Sequence, residues 1–396
     1  MKHLLLLLLT GGVFFFAGCR KGETKITDKG FDNGPTDSLK LNEIQVIASH
    51  NSYHKRTDAD VFNFMLRLDS LGVLPANMSP VELDYSHESL EDQFNLYNVR
   101  GLELDIFNDP NGGQYYYRMG KYLAGSNAAS NNSDLNVPGF KLLHIVDFDF
   151  NSTHTTFKQA LQAVYNWSMA HPNHLPIFIN VETNEESVAA QLPMVPNLTP
   201  TIPYDASACD KLDEEIKSVF GANLDKVITP DDVRGGYATL REAVLAGNWP
   251  TLAQARNKVV FIMQGAAENF YATGHPSLQG RAMFMYSSPS SDEAAFVILN
   301  SATSQKNQII QRVQEGFIVR TRSDAGTTEA RTGDYTDMNS AFESGAQIVS
   351  TDYYRADPRA GTPGWTDFHV QLPEGGVARI NPVSAAAKTG LGEIKE

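Results

Sequence analysis

Eight short apolar runs rich in β-branched residues, separated by stretches with helical spacing, constrain this chain more than any other feature of its sequence. The runs are NEIQVIAS, RGLELDIF, KLLHI, PIFINVE, KVVFIMQ, AFVILN, FIVRT and QIVST. Between them, SLEDQFNLYN, TFKQALQAVYNWSMA, DKLDEEIKSVF, LREAVLAG and NQIIQRVQEG place apolar residues at three- and four-residue intervals, with Gly or Pro punctuation. Strands alternating with helices build a parallel sheet, and eight of them can close it, so the pattern predicts an α/β chain. The fold expected is a (β/α)8 barrel, regular or distorted, in one domain over residues 41–396. Two connections, 108–139 and roughly 183–257, are too long for simple turns. They follow the second and fourth runs and emerge at the C-terminal face, where long loops shape a substrate pocket.

The first residues belong to a different layer of information. Lys2, the Leu4 to Leu9 run and an apolar stretch to Ala17 read as an export signal over 1–18. The following FAGC resembles the lipobox of bacterial lipoproteins, which predicts a lipidated Cys19 and a flexible polar linker over 19–40. Cys209 is the only other cysteine, so no disulfide within the mature domain is expected. A net charge of −14, with no basic stripe carrying interleaved aromatics, argues against a nucleic-acid partner. The expected setting is a monomer tethered by lipid in a bacterial cell envelope, at the outer membrane.

If the barrel is right, polar groups end four consecutive strands: His50 and Asn51 the first, Glu103 and Asp105 the second, His144 the third, Glu182 the fourth. Glu103 and Asp105 are two apart, so a strand points both carboxylates to one side. Like charges placed together are costly without a cation. Three carboxylates and the Asn51 amide oxygen form a hard, all-oxygen set that suits Ca2+ or Mg2+ better than zinc, with Ca2+ preferred because it tolerates irregular cages. His50 and His144 beside such an ion have the pKa range of a base and an acid, which suits metal-assisted chemistry on a phosphate ester.

Arg320 and Arg322, two apart near the end of the seventh run, share a face; they either reach the pocket mouth to bind substrate or pair with neighbouring acids. Lys55 and Arg56, just past the first run, are further candidates for the phosphate-binding cation. His54, His87, His154, His171, His174 and His275 read as surface or capping residues, and Asp147 and Asp149 as loop hydrogen-bonding groups.

The segments SHNSYH, RGLELDIF, GFKLLHIVDFDFNST, HPNHLPIFINVET and RTRSDAGTTEAR, followed by SGAQIVSTDY, resemble the bacterial Ca2+-dependent phosphoinositide-specific phospholipase C family, itself similar to the catalytic X region of the eukaryotic enzymes. The likeness spans about residues 41–355. It implies His50 and His144 as the catalytic pair and Asn51, Glu103, Asp105 and Glu182 as Ca2+ ligands. It further implies attack by the inositol 2-hydroxyl on the adjacent phosphorus of a membrane phospholipid, releasing diacylglycerol and a cyclic inositol phosphate. A glycerophosphodiester phosphodiesterase is the nearest alternative, but that family opens with His-Arg and a nearby Glu-Asn-Thr, where this chain has His50-Asn51-Ser52. A catalytically silent inositol-lipid-binding lipoprotein would be expected to have lost at least one of the six groups.

Overall fold

The computed structural model describes residues 34–75 and 78–396, so the export signal and Cys19 lie outside the described residues. The strands are β1 (Ile44–Ser49), β2 (Gly101–Phe107), β3 (Lys141–Leu142), β4 (Ile177–Thr183), β5 (Val259–Gly265), β6 (Phe284–Met285), β7 (Phe296–Ile298), β8 (Ile318–Arg322), β9 (Ile348–Thr351) and β10 (Arg379–Ile380). Eight of them form one parallel sheet in the order β6-β5-β4-β2-β1-β9-β8-β7. A parallel bridge between Tyr286 and Phe296 links its two ends, so the sheet closes into a (β/α)8 barrel with a thin seam. β1, β2, β8 and β9 are buried along their whole length, as strands covered on both faces must be. All five expected helical stretches are helical, at Leu90–Tyr97, Phe157–Ala170, Ala206–Phe220, Leu240–Leu245 and Lys306–Gln314.

The barrel is not assembled from the eight runs as expected. KLLHI contributes only β3, a two-residue strand that pairs antiparallel with the end of β2, outside the barrel. The barrel is completed instead by β6, its fifth strand in chain order, which is too short to impose a period on the sequence. His144 therefore sits on a loop after β3 and ends no barrel strand.

Two close approaches explain local sequence choices. A Cβ on Gly101 would lie 2.4 Å from Ala48 Cβ, so the entry of β2 beside β1 admits only glycine. At the other end of the chain's folded part, Leu39 and Leu41 are fully buried and Arg256 donates to Asp37 at 2.7 Å. Packing thus begins at Thr36, ahead of the boundary at 41 that composition implied.

Above the C-terminal ends of the strands, a second apolar cluster is built by the connections that follow β1, β2 and β4. Val61, Met65, Phe107, Leu143, Val146, Phe148, Val188 and Leu198 are among its buried members. It anchors the 142–150 loop over the barrel mouth.

Candidate active site

The β2–β4 register decides where the carboxylates go. Asp105 stands opposite Glu182, and Glu103 opposite Asn180, on adjacent parallel strands. Carboxylate oxygens of Glu103, Asp105 and Glu182 consequently come within 4.8 Å of one another. Burial and the negative neighbours Glu182 and Glu103 hold the Asp105 carboxyl well above its ordinary range. Burial, then Glu103, pushes Glu182 up to about 7. Glu103 is shifted the other way: burial opposes its charge, but Arg320, His50 and Arg322 outweigh it and hold the carboxyl below its usual range. Arg320 Nη2 donates to Glu103 Oε2, and Asn180 Nδ2 donates to Glu103 Oε1 at 2.8 Å.

His50 and Asn51 follow β1 directly. Asn51 has φ 43°, a left-handed conformation that asparagine tolerates, and it turns the chain at the barrel mouth. Its Nδ2 donates to Tyr85 Oη at 3.2 Å, which fixes the amide so that the opposite side carries Oδ1. β1 and β9 run in register to Ser49 opposite Thr351, so the very next residue on each side brings His50 to Asp352. His50 Nδ1 lies 2.8 Å from Asp352 Oδ1, and Arg322 Nη2 donates to Asp352 Oδ2 at 2.7 Å. An ionised carboxylate only accepts, so Nδ1 carries the proton and the imidazole lone pair is on Nε2. Nε2 lies 3.8 Å from Glu103 Oε2. Burial, then the Arg322 charge, lowers the His50 pKa despite Asp352.

His144 has the same kind of partner in a different setting. Its Nδ1 lies 2.8 Å from Asp149 Oδ2, within a tight loop whose ends are tied by the His144 and Ile145 amides on the Asp149 carbonyl. Burial alone would lower the His144 pKa, but the Asp149 hydrogen bond and the charges of Asp149, Glu182 and Asp352 raise it. A cavity of about 170 Å³ is lined by His50, Asn51, Asp105, His144 and Glu182, together with Asn184, Glu186 and Gln191 from the connection after β4.

The structure thus brings together five of the six residues expected at the site around one cavity, with Glu103 directly beneath. Arg320 and Arg322 do not reach its mouth: both are buried in ion pairs, with Glu103 and Asp352 respectively. Lys55 lines a separate cavity with Arg118 and Phe150, and its Nζ donates to the His87 carbonyl at 2.6 Å. Arg56 pairs with Asp84 at 2.6 Å.

His54, His87 and His174 are buried, against the expectation that they lie on the surface or at caps. His54 Nε2 shares Asp149 with His144, and His87 Nε2 donates to the His50 carbonyl at 2.7 Å. His171 does cap its helix. Asp147 is a loop hydrogen-bonding group, accepting from the Met119 and Thr199 amides. Asp149 is more than that, being the partner of two histidines.

Residues 39–382 match the family described as phosphoinositide phospholipase C, Ca2+-dependent. The chain belongs to this family. It is therefore a phosphoric diester hydrolase of the phosphoinositide phospholipase C type, and Ca2+ is its cofactor. No curated protein matches it by sequence. Among solved structures, it is similar to a calcium-dependent phosphoinositol-specific phospholipase C from Pseudomonas sp., with 18% identity, 84% of this chain and 97% of that one covered, and a TM-score of 0.46. It is also similar to a Ca2+-dependent phosphatidylinositol-specific phospholipase C from Streptomyces antibioticus, with 17% identity, 80% and 95% covered, and a TM-score of 0.47. A glycerophosphoryl diester phosphodiesterase from Parabacteroides distasonis gives 11% identity, 80% and 85% covered, and a TM-score of 0.26.

The donor set of this member of the family fits the ion. Two buried carboxylates and the half-buried Glu182 face one another, and Arg320 offsets the charge of one of them, which leaves a negative, all-oxygen cluster of the kind Ca2+ prefers.

Proposed function

We propose that this phospholipase C cleaves phosphatidylinositol-type lipids to diacylglycerol and a cyclic inositol phosphate. The observation that carries the proposal is that two histidines, each tied through Nδ1 to its own buried aspartate, face one cavity beside the carboxylate cluster. Their surroundings differ in sign, with His50 biased toward the neutral form and His144 toward the charged one. That division assigns the base to His50 and the acid to His144.

His50 Nε2 takes the proton of the inositol 2-hydroxyl as its oxygen bonds to the adjacent phosphorus. The bond from phosphorus to the diacylglycerol oxygen breaks, and His144 Nε2 gives its proton to that leaving oxygen. Asp352 and Asp149 hold the two rings with Nε2 toward the cavity. Asn51, Glu103, Asp105 and Glu182 are the residues that would hold Ca2+. When bound, the ion supplies positive charge that lowers the hydroxyl pKa and offsets charge developing on the phosphoryl oxygens. Asn184 and Gln191, which line the cavity, offer amide groups to the inositol hydroxyls. The proposal also keeps the enzyme a monomer in a bacterial cell envelope, at the outer membrane, tethered by a lipidated Cys19. No described helix is long and apolar enough to cross a membrane.

Phosphorus NMR of the products from phosphatidylinositol, with and without Ca2+, tests the reading. A cyclic inositol phosphate formed only with Ca2+ is expected. Glycerophosphodiester cleavage, or full turnover after thorough demetallation, would overturn it.

A further inference from the structure

His54 is a buried polar group beside the site that the chemistry above leaves without a role. It sits on the turn after β1, where its amide donates to the Asn51 carbonyl at 2.7 Å, and it forms an antiparallel bridge with Ser152. That bridge fastens the first turn of the site to the segment that follows Asp149. Its ring lies 4.3 Å from the Tyr85 ring, the same tyrosine that accepts from Asn51.

The side chain is fully buried, and its Nε2 lies 2.8 Å from Asp149 Oδ2, the oxygen that also faces His144 Nδ1 at 2.8 Å. Thr57 Oγ1 donates to the other oxygen at 2.6 Å. Asp149 is itself fully buried, and an ionised carboxylate at such a site is held only by the donors around it. Among the described residues, His54 Nδ1 makes no hydrogen bond. A buried nitrogen left without a partner costs about 1–3 kcal/mol, so packing alone gives no reason for an imidazole here.

We propose that His54 is a positioning residue for the reaction. Its Nε2–H fixes the Asp149 carboxylate, and that carboxylate in turn holds His144 with its acidic Nε2–H toward the leaving oxygen. The inference rests on the reading of His144 as the acid.

The readout is dependence on the leaving group. Phosphatidylinositol releases a poor leaving group that must be protonated, whereas a nitrophenyl inositol phosphodiester releases a phenolate that needs little protonation. His54→Phe keeps a ring beside Tyr85 and removes the donor. It should lower kcat on the lipid by about 10-fold to 100-fold, the scale of losing a partner that orients an active group. Its KM should hold, and its loss on the aryl substrate should be much smaller. His54→Gln, which retains an N–H, should recover most of the activity. Unfolding midpoints and Ca2+ titration by calorimetry verify that each variant is folded with its cation site intact.

Equal losses on both substrates, or a His54→Gln variant as impaired as His54→Phe, would overturn the proposal. If His54→Phe does not fold, Thr57→Val removes another donor to the same carboxylate and must show the same leaving-group dependence, or the proposal fails. His144→Ala separates the two ideas. If that variant loses equally on both substrates, the acid assignment has failed and takes the role of His54 with it; if it discriminates and the His54 variants do not, only His54 was misread.

Discussion

Replacing Glu182 with glutamine should stabilise the metal-free enzyme at alkaline pH, although it removes a proposed Ca2+ ligand. Burial and Glu103 raise the Glu182 carboxyl from 4.5 to about 7. The unfolded chain releases this proton near 4.5, while the folded protein keeps it until about 7. Over that interval the folded state binds more protons than the unfolded one, so stability falls as pH rises. The loss is absent below 4.5 and complete above 7, and the separation of the two values corresponds to about 3 kcal/mol. An amide has no such charge to bury. In chelator, urea unfolding at pH 8 should therefore find Glu182→Gln more stable than the wild type by up to about 3 kcal/mol, the gap closing toward pH 4.5. Saturating Ca2+ should reverse the order, because binding adds RT ln(1 + [L]/Kd) to the native state and the variant has lost a charged ligand. A metal-free variant that is less stable than wild type at pH 8, or a gap that does not change with pH, would show that the three carboxylates are not the strained cluster inferred here.

Three further outcomes are expected. Asp352→Asn offers His50 an amide that also fits the wrong tautomer, so turnover should fall by about 10²-fold to 10⁴-fold with the fold retained by circular dichroism; wild-type turnover would refute the orientation of His50 by Asp352. Gly101→Ala should cost about 1–3 kcal/mol in urea unfolding, because the added Cβ meets Ala48 at 2.4 Å, and an unchanged midpoint would contradict the β1–β2 packing. Residues 25–396 exported behind a soluble signal should leave the membrane fraction and keep their activity on dispersed substrate; a truncated enzyme that stays membrane-bound would disprove Cys19 as the anchor.

The carboxylate half of the site was legible because strands have a period of two, so Glu-x-Asp in LELDIF commits both side chains to one face before any neighbour is known. That Asp105 meets Glu182 is a matter of register, which no single strand encodes. The surroundings of His144 were harder to read. The strand composition of KLLHI puts His144 at a strand end, but only two of its residues pair with β2, and local bonds within the loop hold the rest. Its partner Asp149 lies only five residues away, within range of a local reading, whereas His54 is 95 residues from Asp149 and only tertiary packing unites them. Asp352 left a usable signal: it follows β9 as His50 follows β1, and adjacent strands carry such residues to one point. For Arg320 and Arg322 spacing left substrate binding and ion pairing both open, because a shared face does not say which acids already occupy it; the structure shows the ion pairs.

Both histidines proposed for the reaction are built as the same unit, an imidazole whose Nδ1 faces a buried aspartate at 2.8 Å, yet the two are biased toward opposite charge states. The difference lies in what else each aspartate touches. Burial lowers the pKa of either imidazole. At His50 the guanidinium of Arg322 reinforces that effect, because it sits on the far oxygen of Asp352 and cancels the charge that would hold a second proton. At His144, Asp149 is met by a second imidazole and a threonine hydroxyl, with no guanidinium among its hydrogen-bond donors from the described residues. Its negative charge stays available, Glu182 and Asp352 add to it, and the proton is kept. The proposed base and acid thus share one repeated device, distinguished by what else meets the carboxylate, and those groups lie in each case beneath the cavity rather than in it.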